Sequence, residues 1–364
     1  MSLPSLEIDP DISKSFTLPG SFYTFSERYE QVKKLVFERS WQLACHADEL
    51  KVPGQVVPFA FLENIVPEPL LMTRDHDDQL RCISNVCTHR GNLVVEDAGI
   101  VKNLRCRYHG RKFKLDGSFQ SMPECETAKN FPCEADNLAQ VELENLGPFQ
   151  FVALDPLCSF ETWMQPVFDR IGFLPLSEFK YDESRSRDYL VQAHWALYCD
   201  NYLEGFHIPY IHADLNAAIS YEDYRTELFP FCNLQVAIAK GGEHTFDLPQ
   251  SSPDYGQEIA AYYFWMFPNL MLNFYPWGLS VNIVKPLGID RTKVSFRSYV
   301  WQADKLEQGA GAALDRVERE DEAVVELVQK GVSSRLYSRG RFSPTREQGT
   351  HHFHRLLAEL LNQK

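Results

Sequence analysis

The sequence predicts an α+β protein with a small antiparallel β domain in its first half and a larger antiparallel sheet with a long helix in its second half. Between residues 52 and 155, short β-branched and aromatic runs alternate with Pro and Gly turns, as in small β domains. After residue 156 the strand-like segments lengthen, and helical patterns follow at 310–330 and 351–363. An antiparallel sheet followed by helices indicates an α+β domain whose sheet wraps a long helix.

Length and composition limit the classes of protein to which the chain can belong. Its 364 residues are 44% hydrophobic and suffice for two or three domains, each with its own core. A net charge of −14 argues against nucleic acid and anionic membranes as partners. The chain contains no apolar run long enough to predict a transmembrane helix. The acidic N-terminus and the scattered Cys residues predict a reducing, cytoplasmic location.

Two short loops within residues 87–110 carry a metal-binding motif. The motif consists of Cys87, His89, Cys106 and His109. Two thiolates and two imidazoles can hold one Zn²⁺ ion, or a [2Fe–2S] cluster with Cys on one iron and His on the other. Each loop supplies one Cys and one His, which favours the cluster of a Rieske motif over a zinc site. Gly91 and Gly110 should allow the tight turns that direct backbone N–H groups at the cluster.

A second candidate metal site follows in the stretch DNYLEGFHIPYIH, residues 200–212. His207 and His212 are five residues apart and would diverge on a regular helix. Pro209 lies between them and predicts a break in the helix, which lets both rings turn to one point. The alternative is a pair of buried His side chains that are satisfied by hydrogen bonds.

Asp321 offers a carboxylate to this second site. It lies in the apolar stripe of a predicted helix, where a carboxylate is costly unless it is paired or bound to a metal. The stripe comprises Leu314, Val317, Val324, Val325 and Val328. Glu318 is expected at the edge of the stripe, whereas Glu320 and Glu322 are expected to turn away; a salt bridge is the alternative role for Asp321. Two His and one carboxylate form the facial triad of non-haem Fe(II) oxygenases. The predicted mononuclear iron ligands are therefore His207, His212 and Asp321.

Over nearly its whole length the chain resembles the α subunits of Rieske non-haem iron oxygenases. The pattern D/E-x-x-H-x(4)-H with a distant Asp is matched by Glu204, His207, His212 and Asp321. The resemblance implies a Rieske domain at 43–155 and a helix-grip (START-like) catalytic domain at 156–364. It also implies that a helical segment at 1–42 packs on the catalytic domain.

The same resemblance implies cofactors and partners. These are one [2Fe–2S] cluster, one mononuclear Fe(II), O₂, and electrons from NAD(P)H through a separate flavin-containing reductase, with or without a ferredoxin domain. Members of the family form head-to-tail trimers, so a homotrimer is expected. Glu204 would then bridge His207 of its own chain and His109 of the neighbouring chain. Glu204 and Asn201, which is similar to a family Asn near the iron, are the expected catalytic residues.

Two features of the resemblance point to a quaternary ammonium substrate. Most ring-hydroxylating members carry Asp at the bridging position, whereas carnitine-oxidising members carry Glu, as this chain does at Glu204. The stretches around 199–212 and 265–278 look like those of choline and glycine betaine monooxygenases. Residues 262–275 contain nine aromatic or Met side chains, which belong to a core strand pair or supply cation–π contacts to a trimethylammonium group. The predicted substrate contacts are Trp277, Tyr275 and Phe206.

Two alternatives remain for the function. One is an aromatic-ring hydroxylating (di)oxygenase with the same fold. The other is a non-catalytic Rieske protein that transfers electrons or senses metal.

Overall fold

The structure is a computed structural model, and it describes residues 3–241, 243–306, 311 and 314–363. Its backbone contacts divide the chain into two units. The smaller unit is Glu38–Leu157, and the larger unit combines Met1–Phe37 with Cys158–Lys364. In the described ranges, no helix is both long and apolar enough to cross a membrane.

The smaller unit consists of short antiparallel strands, which confirms the predicted small β domain. The strands are β1 (Gln42–His46), β2 (Gln55–Leu62), β3 (Val66–Arg74), β4 (Leu80–Ser84), β5 (Gly99–Ile100), β6 (Leu104–Arg105), β7 (Lys112–Phe113), β8 (Phe119–Ser121), β9 (Glu142–Leu146) and β10 (Phe149–Ala153). They form three sheets with the orders β1-β10-β9, β4-β3-β2-β5 and β6-β7-β8. Cys87 and Cys106 belong to the buried core of this unit, together with Ile83 and Phe113.

The larger unit is built on one seven-stranded antiparallel sheet, which confirms the predicted α+β class. Its strands are β11 (Lys180–Val191), β12 (Arg225–Phe229), β13 (Cys232–Ile238), β14 (Ile259–Met266), β15 (Leu270–Tyr275), β16 (Gly278–Gly288) and β17 (Arg291–Val300), in the order β11-β17-β16-β15-β14-β13-β12. The helices are α1 (Ser26–Val32), α2 (Phe160–Ile171), α3 (Trp195–Tyr202), α4 (Ile208–Ile211), α5 (Ala213–Ala218), α6 (Leu314–Val332) and α7 (Gln348–Leu361).

Strands β14 and β15 are almost wholly buried because both of their faces are covered. On one face the ring of Trp265 packs edge-on against Phe353 of α7, with 5.0 Å between the ring centroids. On the other face the hydroxyl of Tyr262 donates to Asp254. Burial on two faces explains why these strands read as a continuous apolar run rather than as an alternating pattern.

A row of side chains crosses the sheet on the same face as Trp265. Gln235 pairs with Tyr263, Tyr263 pairs with Asn273, and Asn273 pairs with Ser280 on consecutive strands β13 to β16. Directly paired residues of antiparallel strands project to the same face of a sheet. This row therefore forms one continuous wall, and helices α3 and α6 lie across from it.

Helix α6 departs from the predicted apolar stripe. Val325 is buried as expected, but Val328 is 42% exposed and Glu318 is only 3% exposed. The inward face follows Glu318, Val325, Gln329 and Val332, so the predicted stripe was wrong at Val328 and at Glu318. Residues 310, 312 and 313 of the predicted helix lie outside the described residues.

Candidate metal centres and active site

The two Cys–His loops of the smaller unit have the same backbone geometry. The carbonyl of Cys87 accepts the N–H of Gly91 at 2.9 Å, and the carbonyl of Cys106 accepts the N–H of Gly110 at 3.0 Å. Both Gly residues are left-handed, with φ of +71° and +77°. An L-residue with a side chain is strained in that region, so each tight turn requires its Gly.

The four side chains of these loops form a donor set that suits a Rieske cluster. Cys87 and Cys106 are each 2% exposed and belong to the same buried core. The imidazoles of His89 and His109 are partly exposed, with ring centroids 4.6 Å apart. Two sulfurs therefore lie on the core side and two imidazoles on the outer side, an arrangement that fits a cluster with unlike ligands on its two irons.

Backbone groups prepare Cys106 to bind as a thiolate. Burial acts to raise the pKa of its thiol, but the N–H groups of Tyr108 and His109 and the Cys87 side chain together lower it. The amide of Asn92 adds a hydrogen bond to the Cys106 sulfur at 3.7 Å. Burial raises the pKa of Cys87. A thiolate is the form that binds a metal.

In the larger unit, the chain breaks its helix just where the second motif requires. Helix α3 ends at Tyr202, and the Glu204 carboxylate accepts the backbone N–H of His207 at 3.1 Å and that of Phe206. Pro209 then lies in the first turn of α4, where its missing N–H has no cost. Pro209 therefore begins a new helix rather than interrupting a longer one, and His207 and His212 lie at the two ends of that helix.

His207, His212 and Asp321 come together as predicted from the sequence. One ligand atom from each lies within 4.8 Å of the others. Oδ1 of Asp321 is 3.0 Å from Nε2 of His212 and 3.6 Å from Nε2 of His207. The Asn201 amide donates to the same Oδ1 at 2.6 Å, so Asn201 orients the carboxylate toward the two rings.

The partners of the two imidazoles show that this donor set fits a divalent cation. Nδ1 of His207 lies 2.6 Å from Glu204, and Nδ1 of His212 lies 2.8 Å from Glu320. Carboxylates accept hydrogen bonds from Nδ1–H, which directs the Nε2 lone pairs of both rings toward Asp321. Burial acts to lower the pKa of His212, but Asp321 and Glu320 outweigh it and raise that pKa. Positive charge among the three groups is thus favoured.

A cavity of about 110 Å³ opens beside the three groups. Its aromatic wall comprises Tyr198, Tyr202, Tyr224, Tyr263, Tyr275 and Phe296. Its acidic groups are Glu204, Glu318 and Asp321. Gln235, Asn273, Ser280 and Asn282 add neutral polar groups from the sheet. Small-molecule sites often measure roughly 300–1,000 Å³, so this cavity suits a compact substrate.

Glu318 is the most buried acid of the cavity, and sequence reasoning missed it. Its Oε2 accepts the Tyr198 hydroxyl at 2.6 Å, while Oε1 has no hydrogen-bond partner within the described part of the chain. Burial raises the pKa of this carboxyl well above its ordinary value. The available signal was its spacing: Leu314, Glu318 and Asp321 stand at i, i+4 and i+7 and share one helix face. Glu320, expected to turn away, instead reaches His212.

The three predicted substrate contacts occupy different environments. Tyr275 lines the cavity. Trp277 lies behind Tyr275, stacked on it with ring centroids 5.2 Å apart, and the guanidinium of Arg185 lies 6.0 Å from the centre of the Trp277 ring. Phe206 is 39% exposed. Neither Trp277 nor Phe206 belongs to the cavity wall. The wall takes its rings from Tyr275, from Tyr263 of the aromatic run 262–275, and from residues that the sequence did not single out.

Comparison with known families defines the class of protein. Residues 176–363, more than half of the chain, match the ring-hydroxylating α subunit (catalytic domain), and residues 40–132 match the Rieske [2Fe–2S] domain. The chain therefore belongs to the family of ring-hydroxylating α subunits, the Rieske non-haem iron oxygenases. It is an oxidoreductase, and its family implies a [2Fe–2S] cluster and a mononuclear iron. The alternative of a non-catalytic Rieske protein was wrong.

Two similar proteins are named as monooxygenases of different compounds. Choline monooxygenase of Beta vulgaris is 28% identical over 98% of this chain and 80% of its own length. The carnitine monooxygenase oxygenase subunit of Escherichia coli K12 is 29% identical over 95% of this chain and 94% of its own length.

Solved structures share the fold. A quaternary ammonium Rieske monooxygenase aligns with a TM-score of 0.78 at 23% identity and covers 98% of this chain and all of its own. Naphthalene 1,2-dioxygenase from Rhodococcus sp. aligns with a TM-score of 0.71 at 18% identity, over 95% of this chain and 94% of its own.

Proposed function

We propose that this oxygenase oxidises a C–H bond of a small quaternary ammonium compound. The observation that carries the proposal is the cavity beside His207, His212 and Asp321. Six aromatic rings and three carboxyl groups line it, and none of the described lining residues is Lys or Arg. Aromatic faces attract a trimethylammonium group through cation–π contacts, each worth about 0.5–2 kcal/mol. Carboxyl groups add the opposite charge.

The relatives support the same substrate class. The relatives in Beta vulgaris and Escherichia coli carry choline and carnitine in their names, and both compounds are quaternary ammonium compounds. The solved quaternary ammonium monooxygenase carries the same fold over nearly the whole chain. The alternative is an arene substrate. The solved arene enzyme, naphthalene 1,2-dioxygenase, resembles this chain in its fold, at 18% sequence identity. The small volume and acidic wall of the cavity favour the ammonium compound.

We assign the metal ligands from the geometry described above. Cys87, His89, Cys106 and His109 would hold the cluster within a Rieske domain at 43–155. The mononuclear iron would be held by His207, His212 and Asp321 within a catalytic domain at 156–364. The helical segment 1–42 would pack on that domain. When bound, the cluster supplies an electron and the iron activates O₂ for insertion into the C–H bond.

The protein's own residues position the reaction. Glu204 and Glu320 hold the His207 and His212 rings by their Nδ1 atoms, and Asn201 holds Asp321. The aromatic wall excludes water and keeps the ammonium group beside the three ligands. One oxygen atom enters the substrate, and the other leaves as water after two electrons and two protons arrive. An N-methyl substrate would release formaldehyde, and a carbon bearing a hydroxyl would give an aldehyde hydrate.

We further propose the partners and the location. A separate flavin-containing reductase, with or without a ferredoxin domain, would bring electrons from NAD(P)H; the name "oxygenase subunit" of the carnitine relative supports a separate partner. A homotrimer would bring His109 of one chain to Glu204 of the next. The odd number and scattered positions of the nine Cys residues support a reducing cytoplasm.

NADH-dependent O₂ uptake with a surrogate reductase tests the proposal. We expect uptake with at least one compound among choline, glycine betaine, L-carnitine and γ-butyrobetaine, and product formation that matches the oxygen consumed. Naphthalene and indole serve as the arene arm. Turnover of the arenes with none of the ammonium compounds would overturn the proposal in favour of the ring-hydroxylating alternative.

A further inference from the structure

We propose that the Glu318 carboxylate is the counter-charge for the substrate ammonium group. The site would then select small quaternary ammonium ions whose remaining group is uncharged, such as a hydroxyl, over zwitterions that carry a carboxylate. This inference rests on the proposed function and names the substrate class of the same cavity.

The other acids of the cavity are already engaged. Glu204 accepts two backbone N–H groups and contacts Nδ1 of His207. Asp321 faces both imidazoles and accepts the Asn201 amide. Their charge is therefore shared with the candidate iron site, and it is not free to offset a cation elsewhere in the cavity.

Glu318 differs from these acids because half of its carboxyl is unpaired. Its residue is 3% exposed, and it lines the cavity. Oε2 accepts the Tyr198 hydroxyl, but Oε1 is buried without a hydrogen-bond partner among the described residues. Burial raises the pKa of this carboxyl, so without a cation its neutral form is favoured. An ammonium group bound beside it lowers that pKa and stabilises the carboxylate. A trimethylammonium group suits this position, since it offers charge without requiring strong hydrogen bonds.

The surroundings of the cavity disfavour a carboxylate on the substrate. No Lys or Arg is found among its described lining residues, so a second, negative group would meet like charge. Arginines do line the adjoining cavity, which shares Ser280, Phe296 and Leu314 with the first. However, Arg187 there pairs with Asp315 at 2.8 Å, and Arg316 pairs with Asp214 at 2.6 Å. The third arginine of that cavity, Arg185, lies over the Trp277 ring at 6.0 Å.

Neutral polar groups can instead receive a hydroxyl. Asn273 and Asn282 line the sheet side of the cavity, and their side-chain oxygens already accept the hydroxyls of Tyr202 and Ser280. The amide N–H groups of Asn273 and Asn282 can donate hydrogen bonds to a substrate hydroxyl oxygen. A compound with an ammonium head and a hydroxyl tail therefore matches both sides of the cavity.

Calorimetric binding to the full, iron-loaded chain without O₂ or reductant tests the inference independently of turnover. The probes are choline, its uncharged carbon isostere 3,3-dimethylbutan-1-ol, and L-carnitine. We expect the unmodified protein to bind choline at least 10-fold more tightly than either of the other two. In Glu318→Gln, choline binding should weaken at least 10-fold while binding of the uncharged alcohol changes less than 3-fold.

Two further variants keep the result interpretable. Glu326→Gln removes a charge from the same helix, at a residue that accepts the N–H of Gln192 and does not line the cavity; it should leave all three affinities unchanged. Glu318→Asp keeps the charge and should retain the preference for choline over the alcohol. If Glu318→Gln does not fold, Glu318→Asp carries the test, because withdrawing the carboxylate by one methylene should weaken choline binding more than binding of the uncharged alcohol. Equal effects on the two probes would then overturn the role of Glu318.

Each outcome has a distinct meaning. An unchanged choline-to-alcohol ratio in Glu318→Gln would overturn the role of Glu318. Binding of L-carnitine as tight as that of choline would overturn the selectivity, while leaving the proposed function in place. Binding and turnover of arenes, with neither ammonium compound bound, would overturn the proposed function itself.

Discussion

Glu320 of α6 holds the ring of His212: its Oε2 lies 2.8 Å from Nδ1, on the side of the imidazole opposite Asp321. Glu320 is in turn paired with Arg316 at 3.2 Å. A carboxylate at Nδ1 fixes the tautomer and the orientation of a metal-binding imidazole and raises its basicity. Glu320 is thus a positioning residue that would act on the proposed iron site through His212.

Replacing Glu320 by Ala should weaken iron retention. The His212 ring loses its Nδ1 partner, and such changes typically cost about 10–100-fold in metal affinity. Iron content after competition with a graded chelator measures the effect, with the visible spectrum of the cluster as an internal reference. Glu322→Ala, on the same helix and paired with Arg319, is the control and should retain iron like the unmodified protein. Equal retention in both variants would contradict the role of Glu320.

Changes at Asn201 should affect the same site through Asp321. Asn201→Ala removes the 2.6 Å hydrogen bond to Asp321 Oδ1 and is expected to lower iron affinity by about 10-fold. Asn201→Asp replaces this hydrogen bond by a second carboxylate against Asp321, so that without metal two like charges face each other. The chelator competition separates the two variants. If Asn201→Ala binds iron normally yet loses turnover, Asn201 acts on the substrate rather than on Asp321.

Metal analysis should find three irons in each chain, two in the cluster and one mononuclear. His207→Ala removes a ligand of the second site, so it should retain two irons and the visible cluster spectrum but lose turnover. Cys87→Ser removes a cluster ligand and should lose the spectrum while keeping the mononuclear iron. Atomic emission analysis of the purified variants gives the count. One zinc in place of the cluster iron, or normal turnover by His207→Ala, would refute the ligand assignment.

The buried ion network at Arg170 should stabilise the larger unit. Arg170 lies 2.6 Å from Asp254, which also pairs with Arg225. Removing one partner of a buried pair typically costs about 3–5 kcal/mol, because the other charge stays buried. We therefore expect Arg170→Leu to lower the free energy of unfolding by about 3 kcal/mol, measured by denaturant titration. Arg355→Ala, which breaks the more exposed pair with Glu359, should cost less than about 1 kcal/mol.

Acid should destabilise the larger unit in part through His194. Burial lowers the pKa of this imidazole from an ordinary 6.5 to about 3. Below pH 6.5, His194 of the unfolded chain takes up a proton, whereas His194 of the folded chain stays neutral until the pH nears 3. This contribution to the free energy of unfolding is therefore fully present above pH 6.5 and is lost as the pH falls toward 3.

The variant His194→Asn separates this contribution from those of the carboxylates. Asn keeps an acceptor for the N–H of Ala196, which His194 now caps, but it does not titrate. The variant should be less stable at pH 7, since it loses ring contacts with Phe22 and Tyr23. The difference in free energy of unfolding between the variant and the unmodified protein should narrow by roughly 1.4 kcal/mol for each pH unit below 6.5. A constant difference between pH 6.5 and 4.5 would show that His194 is charged in the fold.

Local spacing was enough to predict the three groups His207, His212 and Asp321, which the structure brings together. The break at Pro209 and the helical periodicity around Asp321 are properties of short segments, so they can be read without knowing the tertiary fold. The cavity wall could not be read in this way. Gln235, Tyr263 and Asn273 become neighbours only through strand register, which long-range pairing decides.

Two positions show what single-sequence patterns miss. Trp277 was predicted as a substrate contact, whereas packing places it behind Tyr275. Glu318 was expected at the edge of the apolar stripe, whereas it is 3% exposed. Both cases depend on which neighbour covers a side chain, and single-sequence patterns carry little information on this point.

Helix α6 carries Asp321 and, one turn earlier, Glu318, so one rigid rod contributes both to the candidate iron site and to the cavity wall. A slide or rotation of this rod moves both groups at once, and a change of substrate range made on α6 would disturb oxygen chemistry as well. The sheet residues on the opposite wall have no such tie. We therefore expect related enzymes to diverge in substrate preference mainly through strands β13 to β17, and laboratory evolution of new substrates to succeed first at those positions.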